Sequence, residues 1–317
     1  MRALTYEKHG DPRDGVVKKV FDPRPGPGQI VVRVVAAALN PADWKIVEGK
    51  FPFLAFPKKP FVPGCEAAGV VEAMDSRVAG FRAGDEVVVS TGLGGALAEK
   101  VAVSALQAVK KPASVSFEEA AAIPAAGQTA LQGLRDVATL CTGQRLLVNG
   151  AGGGIGVFAV QIGKLLGAHV TAVASAGKHE LLAGLGADAL VDYRKSDFAK
   201  AGEEWDVVFD VVPNRTFSEC SRVLSREGTY VTTLPGAGPF FASLGVSFRA
   251  PFGFRKRCRW VMLKPRGEDL AWLVDRVAEG KLKAVVGKSA PLDQAAWALS
   301  DLSAGHATGK TVVKVAE

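Results

Sequence analysis

One stretch restricts the fold more than any other: "RLLVNGAGGGIGVFAVQIGKLLGAHVTAVAS", residues 145 to 175. A short apolar run leads into five glycines (150, 152, 153, 154 and 156), then into a segment apolar nearly all round, then into a second apolar run. The pattern predicts strand, tight turn, helix and strand, and a helix without a polar face must be buried. The spacing Ala151-x-Gly153-x-x-Gly156 is a dinucleotide fingerprint with alanine in its first place. Its glycines permit the turn and let backbone N–H groups approach a pyrophosphate at the positive end of the helix. Glycine turns are common by themselves, but here the flanking strand and helix stand where the motif needs them.

The surroundings continue the theme. From about residue 124 onward, helical segments alternate with short apolar strands, "RLLVNG", "HVTAVA", "ALVDY", "DVVFDVV" and "TYVTTL". Near-continuous apolar strands alternating with helices predict a doubly wound parallel sheet, an α/β domain of the Rossmann type over residues 124–264. Residues 1–123 read differently, as alternating or continuous strands broken by Pro and Gly ("IVVRVVAAAL", "AAGVVEAM", "DEVVVS", "AEKVAV"), which predicts an antiparallel, barrel-like β domain. After about residue 265 the βαβ alternation stops. Two amphipathic segments and a closing strand, "KTVVKV", are expected to return to the β domain, so that 1–123 and 265–317 form one unit. A chain of 317 residues with 48% hydrophobic residues is long enough for roughly two such cores.

A site selective for NAD carries Asp or Glu about 20 residues beyond the glycines, at the end of the second strand. Ser175 stands there, Lys178 follows, and the first acid, Glu180, falls inside the next helix. A hydroxyl and a cation in place of a carboxylate favour a 2′-phosphate, hence NADPH. The plainer alternative is that Lys178 decorates a helix N-terminus, where without an anion it opposes the dipole.

The remaining totals exclude several classes. Cysteines 65, 141, 220 and 258 lie far apart with no CxxC pair, against a zinc knuckle and a disulfide scaffold. The longest apolar region is interrupted by Gln161, Lys164 and His169, against a membrane span. "MRALTYEKHG" enters a strand pattern directly, without a visible cleavable signal, so a soluble cytoplasmic protein is the default expectation. The formal charge of +7 suits a polyphosphate cofactor as well as anionic lipid or nucleic acid.

Taken in order, "NPADWKIVEGK", "VPGCEAAGVVEAM", "FRAGDEVV", "AAIPAAGQTALQGL", "NGAGGGIG", "LGADALVDY" and "GHATGKTVV" carry a wider likeness. The chain resembles the zinc-free quinone oxidoreductase branch of the medium-chain dehydrogenase/reductase superfamily, and within it the chloroplast quinone oxidoreductase homologues and the alkenal or enone reductases. That resemblance implies a GroES-like antiparallel β-barrel catalytic domain from both ends of the chain, a Rossmann domain between them, a cofactor cleft at their junction and a homodimer. It implies that Thr129, the loop Gly152, Gly153, Gly154 and Ile155, and Ser175, Lys178 and Tyr193 contact NADPH. On general grounds Tyr193 reads equally well as a strand-end aromatic.

The zinc alcohol dehydrogenases of the same superfamily have ligands where this chain has Asn40, Cys65 and Ala126. Catalytic zinc needs three protein ligands and an open position, and Ala126 cannot ligate. Cys65 and Glu66, which look like half of a metal site, are therefore expected to be a buried thiol and a residue holding the barrel turn. Without a Lewis acid, alcohol oxidation loses several kcal/mol of assistance. Reduction of a quinone or an α,β-unsaturated carbonyl needs less, chiefly stabilisation of the negative charge that develops on oxygen. Lys45 resembles the lysine that enone reductases place near that oxygen, Asn40 is a second catalytic candidate, and Asp43 is expected to orient the loop. A solvated surface lysine is the competing reading of Lys45.

Three features stay open. The aromatic segment "FPFLAFPKKPF" lines an apolar carbonyl pocket or, more commonly, caps the barrel. His306 approaches the cofactor by resemblance, while an ordinary loop histidine is the simpler reading. The basic run "FRKRCRWVMLKPR" (254–266) suits peripheral contact with anionic lipid or, less well, nucleic acid, but more often such a run is the solvated rim of an interface strand. The alternatives to a quinone or enone reductase are an enoyl-thioester reductase and a non-catalytic NADPH-binding protein that associates with membrane or RNA. The resemblance also admits a plastid or its envelope as the compartment.

Overall fold

A computed structural model describes residues 1–51, 60–200, 202–212, 214–233, 255–305 and 307–316. Most of the aromatic segment, Phe254 and His306 lie outside the described residues. The chain divides into two compact units, Met1–Ala125 with Pro265–Glu317, and Ala126–Lys264.

The first unit begins with an antiparallel pair, β1 (Arg2–Thr5) and β2 (Val16–Lys19). Its organising strand is β3 (Gln29–Leu39), whose burial is continuous except around Arg33, Val35 and the first residue. One edge of β3 is taken by β4 (Glu66–Met74). The other is shared: β6 (Lys100–Ser104) pairs with its first half, and the last strand of the chain pairs with its second half. Strand β5 (Glu86–Ser90) joins β4 to β7 (Ala108–Lys110). Register shifts in the β3–β4 ladder, between Val31 and Val32 and between Val34 and Ala36, bend the long strand so that it can serve three neighbours. Helix α1 (Pro41–Val47) follows β3 directly, with proline at its first position, where a missing N–H costs nothing. Helix α2 (Phe117–Ala121) is opened by a reciprocal Ser116–Glu119 cap, and α3 (Pro124–Leu131) follows.

In the second unit β8 (Arg145–Asn149), β9 (His169–Ala174), β10 (Ala189–Asp192), β11 (Trp205–Asp210), β12 (Leu224–Thr232) and β13 (Arg257–Trp260) form a sheet in the order β10-β9-β8-β11-β12-β13, parallel throughout. Helix α4 (Gly154–Leu165) connects β8 to β9 and buries every residue from Gly156 to Gly163, as its lack of a polar face requires. Helix α5 (His179–Gly184) lies between β9 and β10, and α6 (Phe217–Cys220) precedes β12. The strand order reverses between β8 and β11, and ligands of open parallel sheets bind at that crevice.

The chain then returns to the first unit through α7 (Gly267–Ala278), β14 (Val286–Pro291), α8 (Ala295–Ser303) and β15 (Lys310–Lys314). β15 runs antiparallel to β3 but parallel to β14, so the barrel sheet is mixed at this edge rather than wholly antiparallel. Leu292, Ala298, Leu299 and Val313 join Val32, Leu39, Val47 and Leu97 in one hydrophobic core. The tail is thus part of the barrel's interior, and it delivers the start of β15 to the end of β3.

Gly69, on β4, is held to glycine by its neighbour strand, since a Cβ there would stand 2.1 Å from the Arg33 carbonyl oxygen. Gly69→Ala is expected to lower the stability of the protein by roughly 1–3 kcal/mol through overpacking. Urea denaturation checks this, and an unchanged midpoint would mean that the ladder yields freely.

Candidate active site

Three strand ends converge in the first unit because of register alone. Ala37 of β3 faces Ala67 of β4, so the residues just beyond β3 reach Cys65 and Glu66. Leu39 faces Thr311 of β15, so the next step of that ladder sets Asn40 beside Lys310. Asn40, Asp43, Glu66 and Lys310 are all buried, Glu66 completely.

The bonds among them are saturated. The Lys310 ammonium donates to Glu66 Oε1 at 2.7 Å, to Asn40 Oδ1 at 2.5 Å and to the Leu39 carbonyl at 2.8 Å. The Asn40 amide nitrogen donates to the same carboxylate oxygen at 2.6 Å and to Cys65 Sγ at 3.2 Å. The other oxygen of Glu66 accepts the backbone N–H of Ala125 at 2.5 Å, in the first turn of α3, where a carboxylate is favoured. Asp43 accepts N–H groups from Asn40 at 2.7 Å and Gly64 at 3.1 Å, and its burial pushes the carboxyl up to about 7. Gly64 sits at φ +97°, with the Leu97 nitrogen 2.9 Å from where a Cβ would be, so only glycine presents its N–H here.

Cys65 is half-buried as a residue, and its thiol, which accepts the Asn40 N–H, is desolvated. The thiol is held well above the ordinary cysteine range, first by desolvation and then by the charges of Asp43 and Glu66. Lys45, in the last turn of α1, does not join this cluster. Its ammonium lies 5.5 Å from the Trp44 ring centroid, with Lys50 at 4.8 Å from the same ring. Partial burial and then the Lys50 charge lower the Lys45 pKa. The cation that touches Asn40 is therefore Lys310, which lies within the motif "GHATGKTVV" but was not among the expected site residues. Its place at the start of the last strand, opposite the end of β3, and its place in that motif were the available signs.

In the second unit the glycine loop has the geometry that close approach to a ligand requires. Gly150 has φ +81°, and a Cβ on Gly156 would lie 2.3 Å from the Gly150 carbonyl oxygen, so α4 starts directly on the loop. Gly153 is the N-cap of α4, and Gly154 and Ile155 are its first residues. The stem of Lys178 lies across the loop, with its Cδ 2.3 Å from where a Gly152 Cβ would be. Partial burial lowers the Lys178 pKa. Ser175 follows the last residue of β9 and opens the short turn Ala176–Lys178, and Glu180 lies inside α5. Thr129 is buried in α3, and Tyr193 is half exposed just beyond β10, beside Arg194. At the reversal of strand order Asn149 donates to Asp210 at 2.8 Å and to Asn214 at 3.0 Å, and Tyr230 donates to Asp210 at 2.7 Å. Desolvation raises Asp210 to about 6. The strand ends "VN" and "FD" were the available sign of this pair.

The basic run carries β13, and local partners occupy three of its cations. Arg255 pairs with Glu227 at 2.6 Å, Lys256 donates to the Ser221 carbonyl, and Arg257 donates to the Glu227 carbonyl. Among the described residues no helix is long and apolar enough to cross a membrane.

Residues 26–113 match the alcohol dehydrogenase GroES-like domain and residues 185–313 the zinc-binding dehydrogenase family. The chain is 37% identical over 330 residues to the chloroplast envelope quinone oxidoreductase homolog of Arabidopsis thaliana, across 99% of this chain and 98% of that protein. This chain belongs to the quinone oxidoreductase family of the medium-chain dehydrogenase/reductase superfamily. It is also 36% identical to the NADPH-dependent alkenal/one oxidoreductase of A. thaliana chloroplasts, across 90% of this chain and 72% of that one. Among solved structures, Escherichia coli quinone oxidoreductase complexed with NADPH superposes with a TM-score of 0.85 at 26% identity, covering 99% of this chain and all of that one. None of these relatives supports the thioester-reductase or non-catalytic alternative.

The zinc in the name of the second matching family does not fit the cluster described above. That match begins at residue 185, beyond Asn40, Cys65 and Glu66. Both ends of the Asn40 amide are bonded within the protein, and a lysine ammonium already stands against Glu66. Among the described residues no group of three or more His, Cys, Asp or Glu could hold a metal ion.

Asp43 makes a prediction about pH. Its folded-state pKa, about 7, lies above the ordinary aspartate value, so between about pH 4 and 7 the folded protein binds a proton that the unfolded chain has lost. Stability should therefore fall as pH rises through that window, and the fall should be smaller in Asp43→Asn. Urea midpoints of both proteins across the window test this. Parallel profiles would show that Asp43 ionises normally in the folded state.

Proposed function

We propose that this chain is an NADPH-dependent oxidoreductase that reduces quinones or α,β-unsaturated carbonyl compounds without a metal ion. The observation that carries the reading is the Lys178 stem lying across Gly152 on a glycine loop, where the second strand is followed by Ser175 rather than a carboxylate. The family's reductases, one of them named for NADPH, supply the reaction class.

The residues fit that cofactor. The glycine loop from Gly152 leads into the N-terminus of α4 at Gly154 and Ile155, where backbone N–H groups suit a pyrophosphate. Lys178 and Ser175 suit a 2′-phosphate, and Thr129 and Tyr193 complete the proposed cofactor contacts. When bound, NADPH supplies a hydride. The protein's part is electrostatic, because negative charge appears on the substrate's carbonyl oxygen as the hydride arrives, and a proton completes the two-electron reduction. Lys45 is proposed to face that oxygen. Its partial burial and the nearby Lys50 charge loosen its proton, which suits both stabilisation and donation. Asn40, with both amide ends engaged, is proposed to position rather than to touch the substrate. The resemblance supports a homodimer as the assembly, and the chloroplast relatives support a plastid setting as readily as the cytoplasm.

A panel of quinones, short and long enones and enoyl thioesters, followed by NADPH consumption, tests the reaction. Quinones or enones should be turned over, and preference for thioesters would overturn the substrate class. Lys178→Ala should weaken NADPH binding by roughly 10- to 100-fold while leaving NADH binding nearly unchanged, the loss expected for one charge-assisted bond. Equal loss for both cofactors would remove Lys178 from phosphate recognition. Lys45→Ala should lower kcat on the order of 100-fold and spare NADPH affinity. An unchanged kcat would leave Lys45 a surface lysine.

A further inference from the structure

The Lys310 ammonium has three N–H groups and meets three acceptors, Glu66, Asn40 and the Leu39 carbonyl, in a place where the lysine is almost wholly buried. Stability alone does not explain such a pair, since well-packed apolar side chains commonly do as well. What an apolar side chain could not do is orient the Asn40 amide. Lys310 only donates and Glu66 accepts, so the amide oxygen must face the lysine and the nitrogen must face the carboxylate.

That orientation reaches α1. Asn40 occupies the N-cap position of the helix, and its side chain is bonded to Lys310 and Glu66. Asp43, in the first turn, reaches back to the Asn40 N–H. A helix of seven residues has little stability of its own, so its placement depends on these anchors at its first turn. The same helix carries Lys45.

We propose that Lys310 is a positioning residue of the reaction: held by Glu66, it fixes the Asn40 side chain, and through it the start of α1, so that Lys45 keeps its place. The inference rests on the reading of Lys45 given above. It adds a role for a residue at the far end of the chain, which acts through Asn40 and not on the substrate.

The test compares Lys310→Met, Asn40→Ala, their combination, and Glu66→Gln/Lys310→Met, which removes both charges together. Lys310→Met should lower kcat on the order of 10- to 100-fold, the loss expected from a small misplacement of a working group, with the Kd for NADPH unchanged. Asn40→Ala should produce a similar loss, and the two together little more than either alone, because they act on one another. Amide hydrogen exchange over residues 40–48 should quicken in Lys310→Met. The charge-free double variant keeps the test usable should the single one fold poorly. It should regain thermal stability without regaining kcat.

Recovery of kcat along with stability in that double variant would reduce Lys310 to a counter-ion and overturn the proposal. So would losses that multiply when Lys310→Met and Asn40→Ala are combined. A wild-type protein that reduces no quinone or enone would refute the reductase reading instead. In that event the exchange of residues 40–48 still decides whether Lys310 holds α1, and an unchanged rate there refutes it.

Discussion

A lysine ammonium and a glutamate carboxylate, 2.7 Å apart and shielded from water, hold together the part of this protein where chemistry is expected. Either charge alone would be very costly there, and removing one partner of such a pair typically costs about 3–5 kcal/mol. The pair is affordable only because every remaining valence is met, by the Asn40 amide, the Leu39 carbonyl and the Ala125 N–H. Beginnings and ends of β3, β4, β15, α1 and α3 are tied to two side chains.

The second unit solves a different problem with backbone rather than charge. Its glycine loop, proposed to bring N–H groups close to an anion, carries few side chains. The absence of Cβ atoms at Gly152 and Gly156 leaves room for the Lys178 stem in one case and for the loop's own carbonyls in the other. Beneath it, Asn149 and Asp210 lock the ends of two adjacent strands where the sheet order reverses. A buried hydrogen bond thereby ties the two strand ends that flank the crevice.

The relation between sequence and site differs in the two units for a physical reason. The dinucleotide loop is local: strand, glycines, helix and the following lysine lie within about one βαβ unit, so their spacing is their geometry. The likeness of "NPADWK" and "VPGCEA" to family motifs likewise pointed to Asn40, Lys45 and Cys65 as residues of interest. Their bonds were not legible. Asn40 and Lys310 are 270 positions apart, and nothing near either of them announces the other. Asp43 resembles a loop-orienting residue from its place in the motif, and it does accept two backbone N–H groups, but the burial that raises its pKa belongs to the assembled barrel.

By itself the sequence determined the kinds of element and the class of fold, because periodicity, glycine placement and apolar runs act over neighbouring residues. The proposed preference for NADPH is read in the same way, from Ser175 and Lys178 just beyond the end of a strand. Only the tertiary structure decided which cation stands beside Asn40. That choice follows from the register of β15 against β3, a long-range pairing set by the whole barrel, and it placed Lys310 in the cluster and left Lys45 outside it.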